Sequence, residues 1–285
     1  MDKPKVVVVG AGLAGLTCAR ELADGGFEVR VFEKARGPGG RMATRRAGDR
    51  RFDHGAQYFT VRDDRFERAV DSWCRQGVVA PWKGTIVAVD NGNVTRKTSR
   101  VPRFVGVPGM NAVCRHLALG LDVSYRTRVD SLKQEGDAWV LKDEGGVDLG
   151  RVDFVVVSVP APQAGALVRT CSPDLAARAA AVEMAPCWAV MVTFPERLRL
   201  GFDGAFVNNS AISWVSRNAS KPDRPGHESW VIHASPEWST THLEAEPDLA
   251  AEDLVREFRA ALGVQKERPR HLTAHRWRFA LPRSP

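Results

Sequence analysis

Three glycines near the start of the chain have the spacing of a turn that binds the pyrophosphate of a dinucleotide. Gly10, Gly12 and Gly15 form the pattern G-x-G-x-x-G, in which Leu13 and Ala14 precede the third glycine. The first glycine permits a tight turn, the second lets a pyrophosphate approach the backbone, and the third lets a helix pack closely on a strand. The N-terminus of that helix offers free N–H groups and a partial positive charge to the phosphates. We therefore predict that the backbone of this turn binds a dinucleotide.

The neighbouring segments contain the elements that such a turn requires. An uninterrupted valine run at 6–9 predicts a buried parallel strand, and apolar residues then recur at helical spacing as far as the glycines at 25–26. Residues 27–32 predict a second strand, which ends at Glu33. The carboxylate of Glu33 can bind ribose hydroxyls and would repel a 2′-phosphate, so FAD or NAD is favoured over NADP. An ordinary glycine turn is the alternative, and it leaves both strands and the acidic end unexplained.

The choice between FAD and NAD follows from a resemblance that begins just downstream. The flavin-binding segment of the amine-oxidase and phytoene-desaturase superfamily is similar to Glu33-Lys34 and Gly39-Gly40-Arg41-Met42 of this chain. The chain resembles the bacterial renalases in particular at Asp53-His54-Gly55-Ala56-Gln57-Tyr58-Phe59-Thr60. Further segments similar to that family lie at 107–110, 159–163, 186–190, 217–222 and 275–277. The resemblance covers nearly the whole chain.

The resemblance implies that the cofactor is FAD, bound without a covalent link. It implies that Arg41 holds a cofactor phosphate or a nearby polar edge, and that the backbone at Val129 lies beside the adenine. It also implies that the backbone of residues 55–57 approaches the flavin. The predicted cofactor-binding residues are Gly10, Gly12, Leu13, Ala14, Gly15, Glu33, Lys34, Gly40, Arg41, Met42, Gly55, Ala56, Gln57 and Val129.

The same resemblance implies an oxidase of mis-reduced nicotinamide dinucleotides. Its substrates would be the 2- and 6-dihydro isomers of NAD(P)H, with oxygen as acceptor and hydrogen peroxide as product. Such a donor needs no general base, because loss of hydride leaves an aromatic pyridinium ring. The substrate-side candidates are Arg217, Asn218, Ser220, Lys221, His233, Trp188 and Trp277. A basic set around Asn218 and Ser220 suits a dinucleotide pyrophosphate, and it consists of Arg217, Lys221, Arg224, His233, His275 and Arg276. The alternative is that these are solvated surface charges.

Two other functions stay open on the sequence. A flavin amine oxidase would favour an aromatic cage and a negative field around its substrate. A truncated FAD-binding protein without turnover is the third possibility, since the resembled family continues into a strand, a Gly-Asp motif and a helix where this sequence ends at Leu281-Pro282-Arg283-Ser284-Pro285. This ending leads us to expect weak FAD binding, with aggregation or a partner chain. His54 is interpreted as a packing or flavin-edge residue rather than a ligand.

Composition narrows the remaining classes of protein. The chain has 285 residues, of which 44% are hydrophobic, enough for a sizeable core and one or two domains. The five cysteines are widely spaced and form no C-x-x-C pair, so we expect reduced thiols, no metal site and a cytoplasmic protein. We expect neither a signal peptide nor a membrane span. The net charge of +7 has no nucleic-acid motif beside it, and an anionic small molecule accounts for it equally well.

The predicted fold class is α/β. It comprises a Rossmann-type FAD-binding domain, with a doubly wound parallel sheet and a β-meander, and a mixed α+β substrate domain. Residues 1–60 and 104–161 are assigned to the FAD-binding domain, and residues 61–103 and 162–285 to the substrate domain. The predicted third strand of the nucleotide sheet is 122–125, the predicted meander strands are 129–132, 138–142 and 154–159, the predicted second-domain strands are 189–194, 212–215 and 230–234, and helices are predicted at 64–76 and 252–262.

Overall fold

The computed structural model describes residues 3–99, 101–224, 226–264 and 268–283, and its contacts divide the chain into two compact units. The first unit comprises Met1–Arg41, Val113–Met184 and Pro282–Pro285, and the second comprises Met42–Ala112 and Ala185–Leu281. Ser284 and Pro285, which belong to the C-terminal ending that differs from the resembled family, lie outside the described residues.

The described residues form strands and helices throughout both units. The strands are β1 (Lys5–Val9), β2 (Glu28–Glu33), β3 (Thr44–Ala47), β4 (Arg50–Asp53), β5 (Val79–Pro81), β6 (Ile86–Asp90), β7 (Asn93–Arg96), β8 (Phe104–Gly106), β9 (Asp122–Tyr125), β10 (Val129–Glu135), β11 (Ala138–Asp143), β12 (Asp148–Val152), β13 (Phe154–Val157), β14 (Met184–Phe194), β15 (Gly204–Asn208), β16 (Ile212–Arg217), β17 (Glu228–Ala234) and β18 (His271–Pro282). The helices are α1 (Leu13–Asp24), α2 (Asp64–Arg75), α3 (Ala112–Leu117), α4 (Ala161–Val168), α5 (Pro173–Ala180), α6 (Pro236–Thr241) and α7 (Pro247–Leu262).

The first unit is built on a four-stranded parallel sheet with the order β13-β1-β2-β9. Residues of β1 alternate between its two faces, and Val7 and Val9 pack with the meander and with α4. Helix α1 connects β1 to β2 and contacts both strands. The expected strand at 122–125 is confirmed as β9, which pairs in parallel with β2. The predicted fold class is confirmed by this sheet together with the mixed second unit.

The meander of the first unit differs from the sequence prediction in its third strand. Strands β10, β11 and β12 form the antiparallel sheet, so the third strand is Asp148–Val152. The predicted strand at 154–159 is instead β13 of the parallel sheet, where it pairs with β1. The reason is the same as for β1, because an uninterrupted Phe-Val-Val-Val run suits a parallel strand rather than an alternating meander strand.

The second unit is built on a seven-stranded mixed sheet with the order β18-β14-β17-β16-β15-β6-β7. One face packs against α7 in a large apolar core, in which Trp188 and Trp230 lie against helix residues such as Phe258. The opposite face carries the alternate residues, and there Met191 and Val231 pack against Phe52 of the β3–β4 hairpin. The polar network, which consists of Asp53, Gln57, Ser216, Lys221 and Arg224, lies on the side of this second face.

Local signals account for the ends of two helices in the second unit. Asp63 caps α2 by accepting the N–H of Arg65 at 2.9 Å, and α2 matches the helix predicted at 64–76. Helix α7 begins at Pro247, earlier than predicted, because proline suits the first helical turn, and it ends at Gly263 in the left-handed conformation. Strand β18 was not predicted from the sequence, since its alternation places polar residues on both faces.

The compact units divide the chain differently from the predicted domains. Residues 42–60 and 104–112, which the sequence assigns to FAD binding, pack within the second unit. Residues 162–184, assigned to the substrate domain, pack within the first unit, where α4 joins the meander core. Compact packing and a role in binding are separate properties, so the assignment of these stretches to a FAD-binding and a substrate domain stays a prediction.

Candidate functional site

The glycine turn of the first unit has the geometry that the sequence pattern requires. Gly10 has a φ of +107°, and its N–H donates to the Phe32 carbonyl at 2.8 Å. A Cβ on Gly10 would lie 2.5 Å from the Ser158 carbonyl oxygen, and one on Gly15 would collide with the Gly10 carbonyl oxygen. At Gly12, by contrast, a Cβ would meet no atom within 4 Å. Two glycines are therefore required by protein packing, and the third keeps the space above the helix N-terminus open.

Glu33 holds the glycine turn at the end of β2. Its carboxylate is buried and accepts the Ala11 N–H at Oε2 and the Ala35 N–H at Oε1, both at 2.8 Å. Each oxygen keeps a lone pair for a further donor, because one oxygen of an ionised carboxylate accepts two hydrogen bonds. The predicted contact of Glu33 with a ribose stays compatible with these bonds. The carboxylate thus ties the glycine turn to the segment that follows β2.

The remaining cofactor candidates of the first unit surround this turn. Gly40 has a φ of +52°, and its Cβ position lies 3.2 Å from the Cα of Gly12, so a side chain there would crowd the turn. Lys34 is exposed and donates to Gln163 at 3.2 Å. Among the other candidates of this unit, Leu13 is half-buried, Ala14 and Arg41 are exposed, and Val129 is buried at the start of β10. This backbone-built cradle fits a dinucleotide cofactor.

A wholly buried ionic cluster lies in the second unit, and its acidic member, Asp53, is two residues before the predicted Gly55-Ala56-Gln57 segment. The Asp53 carboxylate is 2.7 Å from Arg224 Nη2 and 3.4 Å from Lys221 Nζ, and all three side chains have no exposed surface. Burial alone would raise the pKa of Asp53, but the charges of Lys221 and Arg224 hold it below its usual value. Burial lowers the pKa of Lys221 to about 8 against the attraction of Asp53. The three groups form an internal ion network.

Gln57 connects this ion network to the loop that follows β4. Its Oε1 accepts Lys221 Nζ at 3.1 Å and Ser216 Oγ at 2.6 Å. Its Nε2 donates to the Gly55 carbonyl at 3.0 Å and to the Asp53 carbonyl. Gln57 is thereby fully bonded inside the second unit, while Gly55 and Ala56 are half-buried beside it. Met42, the other cofactor candidate of this unit, is buried.

Several substrate-side candidates have partners within the protein. Arg217 is buried, pairs with Glu228 at 3.1 Å and with Asp203 at 3.5 Å, and lies over the Trp230 ring. Trp188 is buried in the α7 core and donates its Nε1–H to the His242 carbonyl at 2.9 Å. The role of Arg217 and Trp188 as substrate contacts stays a prediction.

The turn at 218–220 ties the hairpin to the sheet. Asn218 accepts the Asp53 N–H at 3.3 Å and donates to the Arg51 carbonyl at 2.7 Å. Ser220 accepts the Trp82 indole N–H at 3.0 Å. A cavity of about 410 Å³ opens beside Ser220, lined also by Arg217, Arg197, Arg270 and His227 among others. Asp203 and Glu228 line the same cavity, so its wall carries both acidic and basic side chains.

Three histidines and a tryptophan form a second polar group on the same face of the sheet. The ring of His54 lies 4.9 Å from His275 and 5.0 Å from Trp277, and the His275 and Trp277 rings are 4.6 Å apart. Trp277 Nε1 and His233 Nε2 both contact the His54 carbonyl, at 3.0 Å and 3.1 Å. The sequence predicted substrate-side roles for His233 and Trp277, included His275 in the basic set and indicated a packing or flavin-edge role for His54. It did not predict that these four side chains meet.

All three of these histidines are neutral at pH 7, and their surroundings explain why. Burial lowers the pKa of His54 to about 3, with further contributions from His275 and Arg45. Burial also lowers the pKa of His233 and of His275 to about 4, assisted by the charge of Lys221 in the first case and of Arg45 in the second. The three histidine rings are therefore uncharged, and the nearby positive charges are those of Arg45 and Lys221.

The described residues contain no helix long and apolar enough to cross a membrane. Within the same ranges, no group of three or more histidine, cysteine, aspartate or glutamate side chains could hold a metal ion.

The parallel sheet, the glycine turn and the acidic strand end define a dinucleotide-binding enzyme fold, and comparisons with known proteins give its family. Residues 8–73 match the NAD(P)-binding Rossmann-like domain, and residues 75–285 match the flavin containing amine oxidoreductase family. The second match covers most of the chain, so this protein belongs to the flavin-containing amine oxidoreductases. Because the glycine turn fits a dinucleotide, its flavin is FAD.

Individual relatives agree with this family assignment. A zeta-carotene-forming phytoene desaturase from Myxococcus xanthus is 62% identical over 37 residues, which are 13% of this chain and 7% of that protein. A putative protoporphyrinogen oxidase from Exiguobacterium sp. 255-15 has a TM-score of 0.78 at 15% identity, covering 99% of this chain and 88% of that one. Cyclohexylamine oxidase from Brevibacterium oxydans IH-35A has a TM-score of 0.74 at 12% identity, covering 97% and 85%. The structural matches show a shared fold.

Proposed function

We propose that this chain is a renalase-like oxidase of the 2- and 6-dihydro isomers of NAD(P)H, with non-covalently bound FAD. Bound FAD supplies the hydride acceptor that such a reaction needs. Overall, one dihydronicotinamide, one oxygen molecule and one proton give the oxidised dinucleotide and hydrogen peroxide. The neutral histidine group of the second unit is the observation that carries this proposal, together with the similarity of residues 53–60 to the renalases.

The histidines are poor bases for an amine substrate. An alkylammonium has a pKa near that of lysine, about 10, so a ring nitrogen with a pKa of about 4 is roughly six units too weak to deprotonate it. The cations that lower these pKa values, Arg45 and Lys221, also disfavour a bound ammonium group. A dihydropyridine ring is uncharged and needs no proton removed before it gives up hydride. The local chemistry therefore favours a dihydronicotinamide over an amine.

The aromatic faces of this group suit a planar ring as well. His54, His275 and Trp277 meet in edge and tilted contacts, an arrangement that presents both ring faces and ring edges. The positive field disfavours the pyridinium product in the same way as an ammonium, and this assists product release. Residues of the second unit thus bind the uncharged form more tightly than the cationic one.

Anaerobic mixing of the FAD-loaded protein with each substrate class tests the proposal. We expect the 2- and 6-dihydro isomers to bleach the flavin absorbance, whereas benzylamine, putrescine and the ordinary 4-dihydro NADH leave it unchanged over the same time. In air, hydrogen peroxide should form in a one-to-one ratio with the oxidised dinucleotide. Bleaching by a simple amine, with no response to either isomer, would reverse the assignment in favour of a flavin amine oxidase.

The mode of FAD attachment has its own test. Acid precipitation should release all of the yellow chromophore into the supernatant, where its mass is that of unmodified FAD. Flavin retained in the pellet would show a covalent link. The five cysteines of the chain are all unpaired in the structure, and a cytoplasmic location stays a prediction.

A further inference from the structure

The hydrogen bonds of Gln57 leave it no N–H to donate to His233. The Gln57 amide has two hydrogens, and both are used by the carbonyl oxygens of Asp53 and Gly55. Its oxygen cannot exchange places with the nitrogen, because Oε1 already accepts Lys221 and Ser216. The approach of Gln57 Nε2 to His233 Nε2 at 3.4 Å is therefore not a hydrogen bond. The Gln57 amide therefore donates no hydrogen bond to His233 Nε2.

The tautomer of His233 follows from its other contact. Nε2 lies 3.1 Å from the His54 carbonyl oxygen, which can only accept, so Nε2 carries the proton and donates it there. A neutral imidazole has one protonated nitrogen, and Nδ1 is therefore an unprotonated acceptor. Among the described residues, no donor is bonded to His233 Nδ1, and the residue is only half-buried. His233 thus presents a lone pair of fixed direction.

A complementary donor lies on the neighbouring strand. Trp214 of β16 is directly opposite His233 of β17, so the two side chains share one face of the sheet with Cβ atoms about 5 Å apart. Trp214 is 7% exposed, and its Nε1–H has no hydrogen-bond acceptor within the described ranges of the chain. An unpaired buried donor is costly, on the order of 1–3 kcal/mol, so a ligand that accepts from it is favoured. Phe206 and Tyr58 flank this indole at 4.7 Å and 5.6 Å.

We infer that His233 and Trp214 form a donor–acceptor pair that recognises a primary carboxamide. Such a group has N–H donors for His233 Nδ1 and a carbonyl oxygen for the Trp214 indole N–H, in one plane and a few ångströms apart. In the substrate class proposed above, this is the carboxamide of the nicotinamide ring, and the inference rests on that proposed function. His233 then acts as a specificity residue rather than as the cation that the sequence suggests.

Replacing the carboxamide by a methyl ketone tests this pairing on the unaltered protein. A 3-acetylpyridine dinucleotide keeps the carbonyl and loses the N–H donors, so it should bind roughly tenfold more weakly than the nicotinamide form. Binding of the two oxidised dinucleotides is measured by perturbation of the flavin spectrum, which needs no turnover. The kcat/KM values of the corresponding dihydro isomers should show the same preference.

Variants assign the preference to a particular side chain. His233→Leu should reduce the nicotinamide-to-acetylpyridine ratio to about one, and His233→Asn, whose amide oxygen can accept, should restore part of it. Trp214→Phe should weaken both dinucleotides by a similar factor and keep their ratio, because both retain the carbonyl. His227→Leu, a half-buried histidine elsewhere in this unit, serves as the control and should leave the ratio unchanged.

The outcomes separate this inference from the proposed function. Equal binding of the two dinucleotides by the unaltered protein overturns the carboxamide site, even if dihydronicotinamides are oxidised rapidly. A preference that survives in a folded, flavin-loaded His233→Leu variant also overturns it. A tenfold preference without any oxidation of the dihydro isomers supports the carboxamide site and refutes the proposed activity.

Discussion

The glycine turn of the first unit and the polar network of the second unit are built in opposite ways. The turn consists of backbone groups and glycines within one short segment, and the Glu33 carboxylate that accepts the Ala11 N–H is 22 residues from Ala11. The network consists of buried side chains, and Asp53 and Lys221 are 168 residues apart. Binding by backbone groups requires small residues, but the binding groups lie in one short segment. A buried ionic network forms only when distant parts of the chain are folded together. The two regions should therefore fail differently when they are altered.

Removing the charge of Asp53 should have the largest effect on stability. Asp53→Asn leaves Lys221 and Arg224 buried without their counter-charge, which typically costs about 3–5 kcal/mol. Urea unfolding followed by tryptophan fluorescence measures the loss. Glu244→Gln is the matched control, because Glu244 forms exposed ion pairs with Arg276 and Arg278 that are worth less than about 1 kcal/mol. Equal losses for the two variants would contradict the view that the buried network organises the second unit.

Replacing Arg41 tests whether this side chain of the first unit contributes to FAD binding. Arg41→Ala should weaken FAD binding by about 1.5–3 kcal/mol, the usual range for a hydrogen bond to a charged group, since Arg41 is predicted to hold a cofactor phosphate. A fluorescence titration of the apoprotein with FAD gives the affinity. Arg46→Ala, which removes another exposed arginine nearby in the sequence, is the control and should change the affinity little. An unchanged affinity in the Arg41 variant would remove this residue from the cofactor site.

Replacing Gly12 should change the affinity for FAD without changing the stability of the fold. Gly12→Ala places a methyl group where no protein atom lies within 4 Å, and its φ of −79° suits alanine, so stability should change by less than about 0.5 kcal/mol. FAD binding should nevertheless weaken about tenfold, or 1.4 kcal/mol, because the methyl group fills the space of the pyrophosphate. Gly15→Ala is the converse control, since its methyl group collides with the Gly10 carbonyl and destabilises the fold. Normal FAD binding by a stable Gly12→Ala variant would refute this division of roles.

Acid should destabilise the second unit through its neutral histidines. The pKa of His233 is lowered from 6.5 to about 4, so between these values the unfolded chain binds a proton that the folded chain does not. Stability then falls as the pH decreases from 6.5 towards 4, by roughly 1 kcal/mol per such histidine between pH 7 and pH 5.5. His233→Leu should flatten this slope, because it removes the titrating ring. A slope that is unchanged in the His233 variant would mean that the ring is charged in the folded state.

The two regions also differ in what the sequence determined by itself. The valine run at 6–9, the three glycines of the turn and Glu33 lie close together in the chain, and local sterics and hydrogen bonding were enough to predict the strand, turn and carboxylate that the structure contains. The third meander strand was placed too late, at 154–159, because strand pairing depends on partners that a local pattern does not specify.

Only the tertiary structure decided the chemistry of the second unit. Lys221, Arg224 and His233 look in the sequence like cations available to a pyrophosphate, since residue type alone implies charge. Folding buries Lys221 and Arg224 against Asp53, and it makes His233 a neutral acceptor at Nδ1 because Nε2 donates to the His54 carbonyl. The physical reason is that pKa and hydrogen-bond direction depend on desolvation and on neighbours that are more than 150 residues distant, as for the 159 residues between Gln57 and Ser216.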